Sequence, residues 1–236
     1  MPSPLLSAFT CLLFLSAQPE PNNAAQPPTD RFQPNPQWKP IGRSLWFDRE
    51  QKRVVLRARV VLREGPLEHL VCLKGTKEHE AIFATDAVPR MIHAGLLLTG
   101  AQQGHPVRFL PKFEAPTGSP IAIQVEWEED GKIKTIDARK LVQDNQSKQL
   151  LDKDWVFAGS EILTDPDTKK TIYAADDGDL FTVANFANAI LDLPIASTAN
   201  DASRNFVAYT KDIPPRGTFV TLYLKPKAAG TTKKSP

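Results

Sequence analysis

Cysteine is scarce in this chain, which has only Cys11 and Cys72 among 236 residues. If the N-terminal segment discussed below is removed, Cys72 is the only cysteine left. An intramolecular disulfide is then excluded, and so is any zinc or iron–sulfur site made of thiolates alone. The mature chain must be held by its apolar core, and about 200 residues are enough to form one. Cys72 lies in an apolar run, where a free cysteine usually behaves as a small buried hydrophobe.

A charge excess of either sign is also lacking, because 29 Lys and Arg residues face 27 Asp and Glu residues. The net charge of +2 gives no indication of a nucleic-acid partner, which normally requires a strongly basic surface. The basic tail, residues 227–236, is explained as a short solvated terminus.

Charged residues are absent from the first seventeen positions. The apolar run from Leu5 ends in Leu15-Ser16-Ala17, which is typical of a signal peptide cleaved after Ala17. No basic residue precedes the run, and an uncleaved anchor is the alternative. However, about thirteen apolar residues are too few to cross roughly 30 Å of hydrocarbon. The pattern predicts a signal peptide at 1–17, export to the periplasm or the extracellular space, and no transmembrane helix in the mature form.

Residues 18–42 are rich in Pro, Asn and Gln and predict a disordered lead-in. Residues 43–226 predict a single α+β domain, mostly antiparallel sheet with one principal buried helix. The runs 54–62 and 67–73 predict two paired strands, and Asp130-Gly131 predicts a hairpin between 121–127 and 132–136. The runs 155–163, 171–173 and 180–183 predict a three-stranded meander, and 206–209 and 218–224 predict closing strands.

The principal helix is predicted from a cap at Thr85 or Asp86, with Pro89 in the first turn, to Gly100 or Gly104. Apolar residues surround almost its whole circumference, which favours burial on more than one side. A short second helix is predicted over Asn185–Leu191, stopped before Pro194.

These landmarks resemble the YdjY-type domain, a poorly characterised family of exported bacterial proteins that is abundant in planctomycetes. The matching positions lie between residues 45 and 225 and include Gly75, Lys77-Glu78-His79-Glu80, Pro89, Ile92-His93-Ala94, Leu96-Leu97-Leu98, Gly104, Pro106-Val107, Trp127, Trp155-Val156-Phe157-Ala158-Gly159-Ser160, Tyr173-Ala174, Asp176, Asn185-Phe186, Asp192-Leu193-Pro194 and Gly217-Thr218. The resemblance implies no established activity. An iron–sulfur label is sometimes attached to the family name, but one mature cysteine cannot supply the thiolates of a cluster.

Two of the four histidines stand close to two carboxylates, in Glu78-His79-Glu80 and at His93. Imidazole and carboxylate together are ligands for zinc or iron, so Glu78, His79, Glu80 and His93 are the candidate metal site. The alternative is structural: a solvated loop edge at 77–80 and a core histidine at 93. In a regular strand His79 would point away from Glu78 and Glu80, so a shared site requires an irregular backbone there.

Two weaker patterns point to other chemistry. Asp176-Asp177-Gly178-Asp179 is similar to the start of a calcium loop but lacks its alternating spacing, so a hairpin turn explains it. Ser160 lacks the Gly-x-Ser-x-Gly elbow of a serine hydrolase.

The leading hypothesis is an exported, non-catalytic binding or interaction domain. Its functional surface would be the 77–93 region, and its partner an unknown envelope protein or small ligand. The alternative is a hydrolase-like metal-dependent enzyme in which His79 and His93 bind the metal and Glu78 or Glu80 acts as general base. A purely structural role in an envelope assembly is a third possibility, which predicts a broad apolar patch.

Overall fold

The computed structural model describes residues 32–197 and 205–227. The predicted signal peptide, Cys11, most of the predicted lead-in and the tail from residue 228 lie outside the described residues. The strands are β1 Lys39–Gly42, β2 Leu45–Asp48, β3 Arg53–Val60, β4 His69–Leu73, β5 Ala81–Thr85, β6 Pro120–Glu129, β7 Lys132–Asp137, β8 Val142–Asp144, β9 Trp155–Phe157, β10 Ile162–Thr164, β11 Thr171–Tyr173, β12 Asp179–Thr182, β13 Leu191–Asp192, β14 Phe206–Ala208 and β15 Phe219–Pro226. The helix α1 spans Pro89–Leu98, and short 3₁₀ turns span Ala138–Leu141 and Ala174–Asp177.

Eight of these strands close into a barrel in the order β3-β15-β6-β9-β13-β12-β4-β5. The ring closes where the end of β3 pairs with β5, at Arg59↔Ala84 and Val60↔Phe83. The first half of β3 pairs with β2 instead, and β7 extends the sheet beside β6. Closure leaves no unpaired strand edge inside the ring.

The core lies on the inner face of the long strands, where apolar residues alternate with polar ones. Leu222 pairs with Leu56 on one side and with Val125 on the other, and all three are fully buried. Trp155 and Phe181 also join this core without exposure to solvent. Burying an aliphatic or aromatic side chain of this size contributes roughly 1.5–3 kcal/mol each, which is the main term opposing chain entropy.

The helix α1 packs closely on β2 and β3. A side chain at Gly95 would come within 2.9 Å of Ile41 Cδ1 and 3.1 Å of Val54 Cγ2, so the glycine permits this approach. Pro89 does begin the helix, but the residue before it, Val88, makes no side-chain cap. Leu97 and Leu98 are about half exposed, so the expectation of burial on several sides is wrong.

The predicted β6–β7 hairpin is present, and its turn places Asp130 and Gly131 at positive φ. Two other pairings differ from the prediction. β3 does not pair with β4; β4 lies between β5, to which it is parallel, and β12. β10 and β11 form a separate hairpin, while β12 leaves the predicted meander to join the barrel.

The prediction of an α+β domain is wrong, because the sheet closes on itself and the described residues contain a single α-helix. The predicted second helix over Asn185–Leu191 is also absent. That stretch is a loop leading into β13, and its polar backbone groups are used locally, as in the bond from Ala189 N to Phe186 O.

The strand β1 lies inside the segment 18–42 that the sequence predicts to be a disordered lead-in. Trp38 packs edge-on against Tyr223, and Phe32 packs against Trp46, which fixes this segment on the barrel. None of the helices in the described residues is long and apolar enough to cross a membrane.

Candidate metal centre

Ionisable side chains meet beside the strand β4, which lies between β5 and β12. The parallel pairing of β4 with β5 places Glu80 beside the start of β4, and its carbonyl oxygen accepts from Glu68 N at 3.0 Å and His69 N at 3.1 Å. The antiparallel pairing of β12 with β4, with irregular register, adds Asp179. The start of β12 lies opposite the end of β4, at Asp179↔Cys72, and the side chains of His69 and Asp179 meet along β4.

His69 is held by a buried carboxylate. Its Nε2 lies 2.8 Å from Asp179 Oδ1, and the same oxygen lies 2.9 Å from Lys77 Nζ. The imidazole stacks on Phe186, with ring centroids 5.3 Å apart. His69 Nδ1 is buried and has no hydrogen-bond partner within the described residues.

This unpartnered nitrogen matters because Asp179 fixes the tautomer. The pKa of Asp179 is lowered: burial opposes this, but hydrogen bonds from His69 and Lys77 outweigh it. An ionised carboxylate only accepts, so Nε2 carries the proton and a neutral ring keeps its lone pair on Nδ1. Carboxylate-backed imidazoles of this kind are the usual histidine ligands of metals.

Glu68 and Glu80 complete a possible ligand set with His69. One ligand atom from each lies within 4.8 Å of the other two, and all three residues are buried. Across residues 32–197 and 205–227, this is the one group of three or more His, Cys, Asp and Glu side chains that is tight enough to share an ion. Ligands at about 2.1 Å from one ion are at most about 4.2 Å apart, so only small adjustments are needed.

The pKa of Lys77 is raised: burial acts to lower it, but the hydrogen bond to Asp179 and the charges of Asp179, Glu80 and Glu68 outweigh burial. The carboxylates of Asp179, Glu80 and Glu68 give the centre a negative charge, which Lys77 partly offsets. A cation is therefore electrostatically favoured there.

The loop between β4 and β5, which carries Lys77, is held against the start of β12. Gly178 has φ +114°, and a side chain there would come within 2.4 Å of Thr76 Oγ1. Its carbonyl accepts from Leu73 N at 3.2 Å. Only glycine combines this conformation with so close an approach, which brings Lys77 within reach of Asp179.

Of the four metal-site residues predicted from sequence, Glu80 lies in this centre. His79 lies at its rim: Nε2 is 3.6 Å from Glu80 Oε1, and the side chain is 76% exposed. Glu78 is turned elsewhere, with Oε1 accepting from Gly75 N at 2.9 Å.

His93 lies on α1, in a different group of residues. Its Nδ1 is 3.1 Å from the carbonyl oxygen of Gly159 and 2.8 Å from Tyr173 Oη, and its ring lies edge-on to Phe157. Burial lowers the pKa of His93, and the bond to Gly159 acts in the opposite direction. The structure therefore does not bring His93 to Glu78–Glu80.

Sequence reasoning missed Glu68, His69 and Asp179. A usable signal was present: Glu68-His69 stands directly before the apolar run 70–73, as Glu80 stands before 81–85. Because parallel strands begin at the same edge of a sheet, two such polar starts come together. The assumed pairing of β3 with β4 concealed this.

The remaining candidates have structural roles. Asp176 and Asp177 are exposed, whereas Asp179 belongs to the centre described above. Ser160 has φ +61°, and its Oγ accepts from Ala175 N at 3.0 Å. Cys72 is buried, and desolvation raises the pKa of its thiol to about 12, so it remains protonated at neutral pH.

A closed barrel with a buried histidine–carboxylate centre is the class of domain that these observations define. The sequence matches the YdjY domain family over residues 45–225, and the chain belongs to that family. No curated protein and no solved structure matches it.

Proposed function

We propose that this chain is an exported, non-catalytic binding domain that holds a divalent transition metal ion at Glu68, His69 and Glu80. The observation that carries the proposal is the buried His69 Nδ1, unpartnered in the described residues, in a ring that Asp179 holds from the other side. Imidazole with two carboxylates is a ligand set for zinc or iron.

Burial favours binding over catalysis. Three protein ligands leave a fourth position for water, but His69 is fully buried and Glu68 and Glu80 are less than 10% exposed, so a substrate has little access to that position. His79 is the exposed side chain next to Glu80, which makes the rim beside it the route by which an ion would enter.

Export is supported by the uncharged apolar run at residues 5–17. It is tested by fractionating cells that express the full chain and determining the N-terminus of the purified protein. A periplasmic or secreted form beginning at Gln18 is expected. A cytoplasmic protein that retains Met1 would contradict export without affecting the metal centre.

The metal proposal is tested by competition of the chelator-treated full chain against a chromophoric chelator for Zn²⁺ and Fe²⁺. Glu80→Gln removes a ligand charge with little change of shape, and Glu78→Gln is its matched control two residues away. We expect Glu80→Gln to weaken binding at least about tenfold and Glu78→Gln to leave it unchanged. Equal affinities in both variants, or no binding by the wild type, would overturn the proposal.

A further inference from the structure

A groove of about 320 Å³ lies at the barrel wall beside β3, β5 and β15. This volume suits a small organic molecule. Its lining combines the cations Arg57, Arg59 and Lys74 with the carboxylates Glu78 and Asp86, the ring of Phe219 and small side chains.

Phe219 and the two arginines share the outer face of the β3–β15 pair. Arg59 pairs with Phe219 and Arg57 with Thr221, so these four side chains stand on one side of the sheet, opposite the core residues. Arg57 Nη1 donates to Thr221 Oγ1 at 2.9 Å, and its guanidinium carbon lies 5.6 Å from the centroid of Phe219. The guanidinium carbon of Arg59 lies 5.9 Å from the same ring.

The carboxylates of the groove have partners of their own. Asp86 accepts from Ser44 Oγ at 2.5 Å and lies 3.8 Å from Arg43. Glu78 accepts from Gly75 N. By contrast, no carboxylate within the described ranges lies within 4.0 Å of the charged groups of Arg59 and Lys74. Two cationic groups are therefore available at the groove.

The rest of the lining is uncharged. Ala84 is 5% exposed and pairs with Arg59, so it lies beside that side chain on the outer face of the sheet. Phe219 supplies a ring on which a planar apolar group can lie. A guanidinium can bind a carboxylate or phosphate through two parallel hydrogen bonds, and a lysine adds a point charge.

We propose that this groove binds a small organic anion, whose carboxylate or phosphate is held by Arg59 and Lys74 and whose apolar part lies on Phe219. The groove shares no side chain with the metal centre, so this inference does not depend on the proposed metal.

The test is a calorimetric titration of the full chain with phenyl phosphate, benzoate and inorganic phosphate. The variants are Arg59→Ala, Lys74→Ala and, as a control, Lys132→Ala in the β6–β7 hairpin. We expect phenyl phosphate or benzoate to bind, Arg59→Ala and Lys74→Ala to weaken that binding at least about tenfold, and Lys132→Ala to leave it unchanged. The preferred probe distinguishes a phosphate from a carboxylate head group.

Three outcomes would overturn the proposal. The first is that neither aromatic anion binds, and the second is that Arg59→Ala binds as tightly as the wild type. The third is that inorganic phosphate binds as well as phenyl phosphate, which would remove the role of Phe219.

Thermal melts establish that each variant is folded. Arg59→Lys, which retains the charge but loses the two parallel N–H donors of the guanidinium, is expected to show an intermediate affinity. Repeating the titration after chelator treatment separates this site from the metal centre, because its affinity should not change.

Discussion

His69 is fully buried and His93 is half-buried, and their surroundings also differ in kind. His69 is backed by the ionised Asp179 on Nε2 and leaves Nδ1 unpartnered within the described residues. His93 is bonded on Nδ1 to a carbonyl and a tyrosine hydroxyl. A carboxylate behind the ring stabilises a cation in front of it, whereas neutral partners stabilise a neutral ring. The nature of the partner, together with burial, separates a candidate ligand from a packing histidine.

Two buried aspartates repeat the comparison. Asp179 has cationic partners, and its pKa is lowered. Asp192 has neutral partners: its Oδ1 accepts from Thr182 Oγ1 at 2.9 Å, Asn185 Nδ2 at 3.1 Å and Leu193 N at 2.7 Å. Burial raises the pKa of Asp192 to about 7, against the effect of these hydrogen bonds. Asp179, at the start of β12, therefore favours its ionised form, whereas Asp192, at the end of β13, favours its protonated form.

The largest expected effect is that of His69→Ala. It leaves the buried Asp179 without one of its two charged or polar partners, so we expect the free energy of unfolding to fall by about 3–5 kcal/mol. His93→Ala should cost only about 1–2 kcal/mol, because it removes hydrogen bonds to neutral groups. Urea denaturation in the presence of chelator measures both without any contribution from metal. Equal losses of unfolding free energy in the two variants would show that the partners of His69 and His93 do not differ in their contribution to stability.

Asp179→Asn should come next. The shape is retained, but the amide no longer fixes the His69 tautomer, so the affinity for zinc should fall by roughly 10–100-fold. Asp177→Asn, at an exposed position two residues earlier, is the matched control and should bind as the wild type does. If the two variants have the same zinc affinity, Asp179 has no positioning role.

Asp192→Asn tests the difference between the two aspartates through the pH dependence of the free energy of unfolding. Between about pH 4 and pH 7 the folded protein keeps a proton on Asp192 that the unfolded chain has released, so this group makes the free energy of unfolding fall as pH rises. The variant should remove that component of the slope. Asp179 acts in the opposite direction, because its stabilisation is present above its ordinary pKa of 3.8 and is lost as pH falls through its lowered pKa. Denaturation series at several pH values measure both, and an unchanged slope in Asp192→Asn would contradict the first.

The smallest effect is expected for His79→Ala. The side chain is mostly exposed, so the free energy of unfolding should change by less than about 0.5 kcal/mol. Zinc affinity should also change little, since the three proposed ligands remain. A loss of zinc affinity as large as that expected for Glu80→Gln would add His79 to the ligand set and place the metal site closer to the surface.

The sequence predicted the elements that depend on local signals. Asp130-Gly131 encodes its own turn, and Pro89 marks the start of α1. The pairing of strands was not predictable in this way, because barrel closure rests on contacts such as Val60↔Phe83 between segments separated by two loops. The connection between the parallel strands β4 and β5, residues 74–80, is also shorter than the usual crossover, so no local signal predicts this pairing.

The candidate site shows the same division. Glu80 was found because it lies in a polar run beside a histidine. His69 was passed over because it opens an apolar strand, and Asp179 because it reads as part of a turn. His69 and Asp179 become candidate site residues only in the folded chain, because the pairing of β12 with β4 brings their side chains within hydrogen-bonding distance.

The metal centre is tested most directly by a crystal of the chain grown with zinc, with anomalous scattering recorded at the zinc edge. We expect one strong peak about 2.0–2.2 Å from His69 Nδ1 and from carboxylate oxygens of Glu68 and Glu80, with Asp179 still hydrogen-bonded to Nε2. A zinc peak at His93, or an anomalous map without a peak at His69, would contradict it.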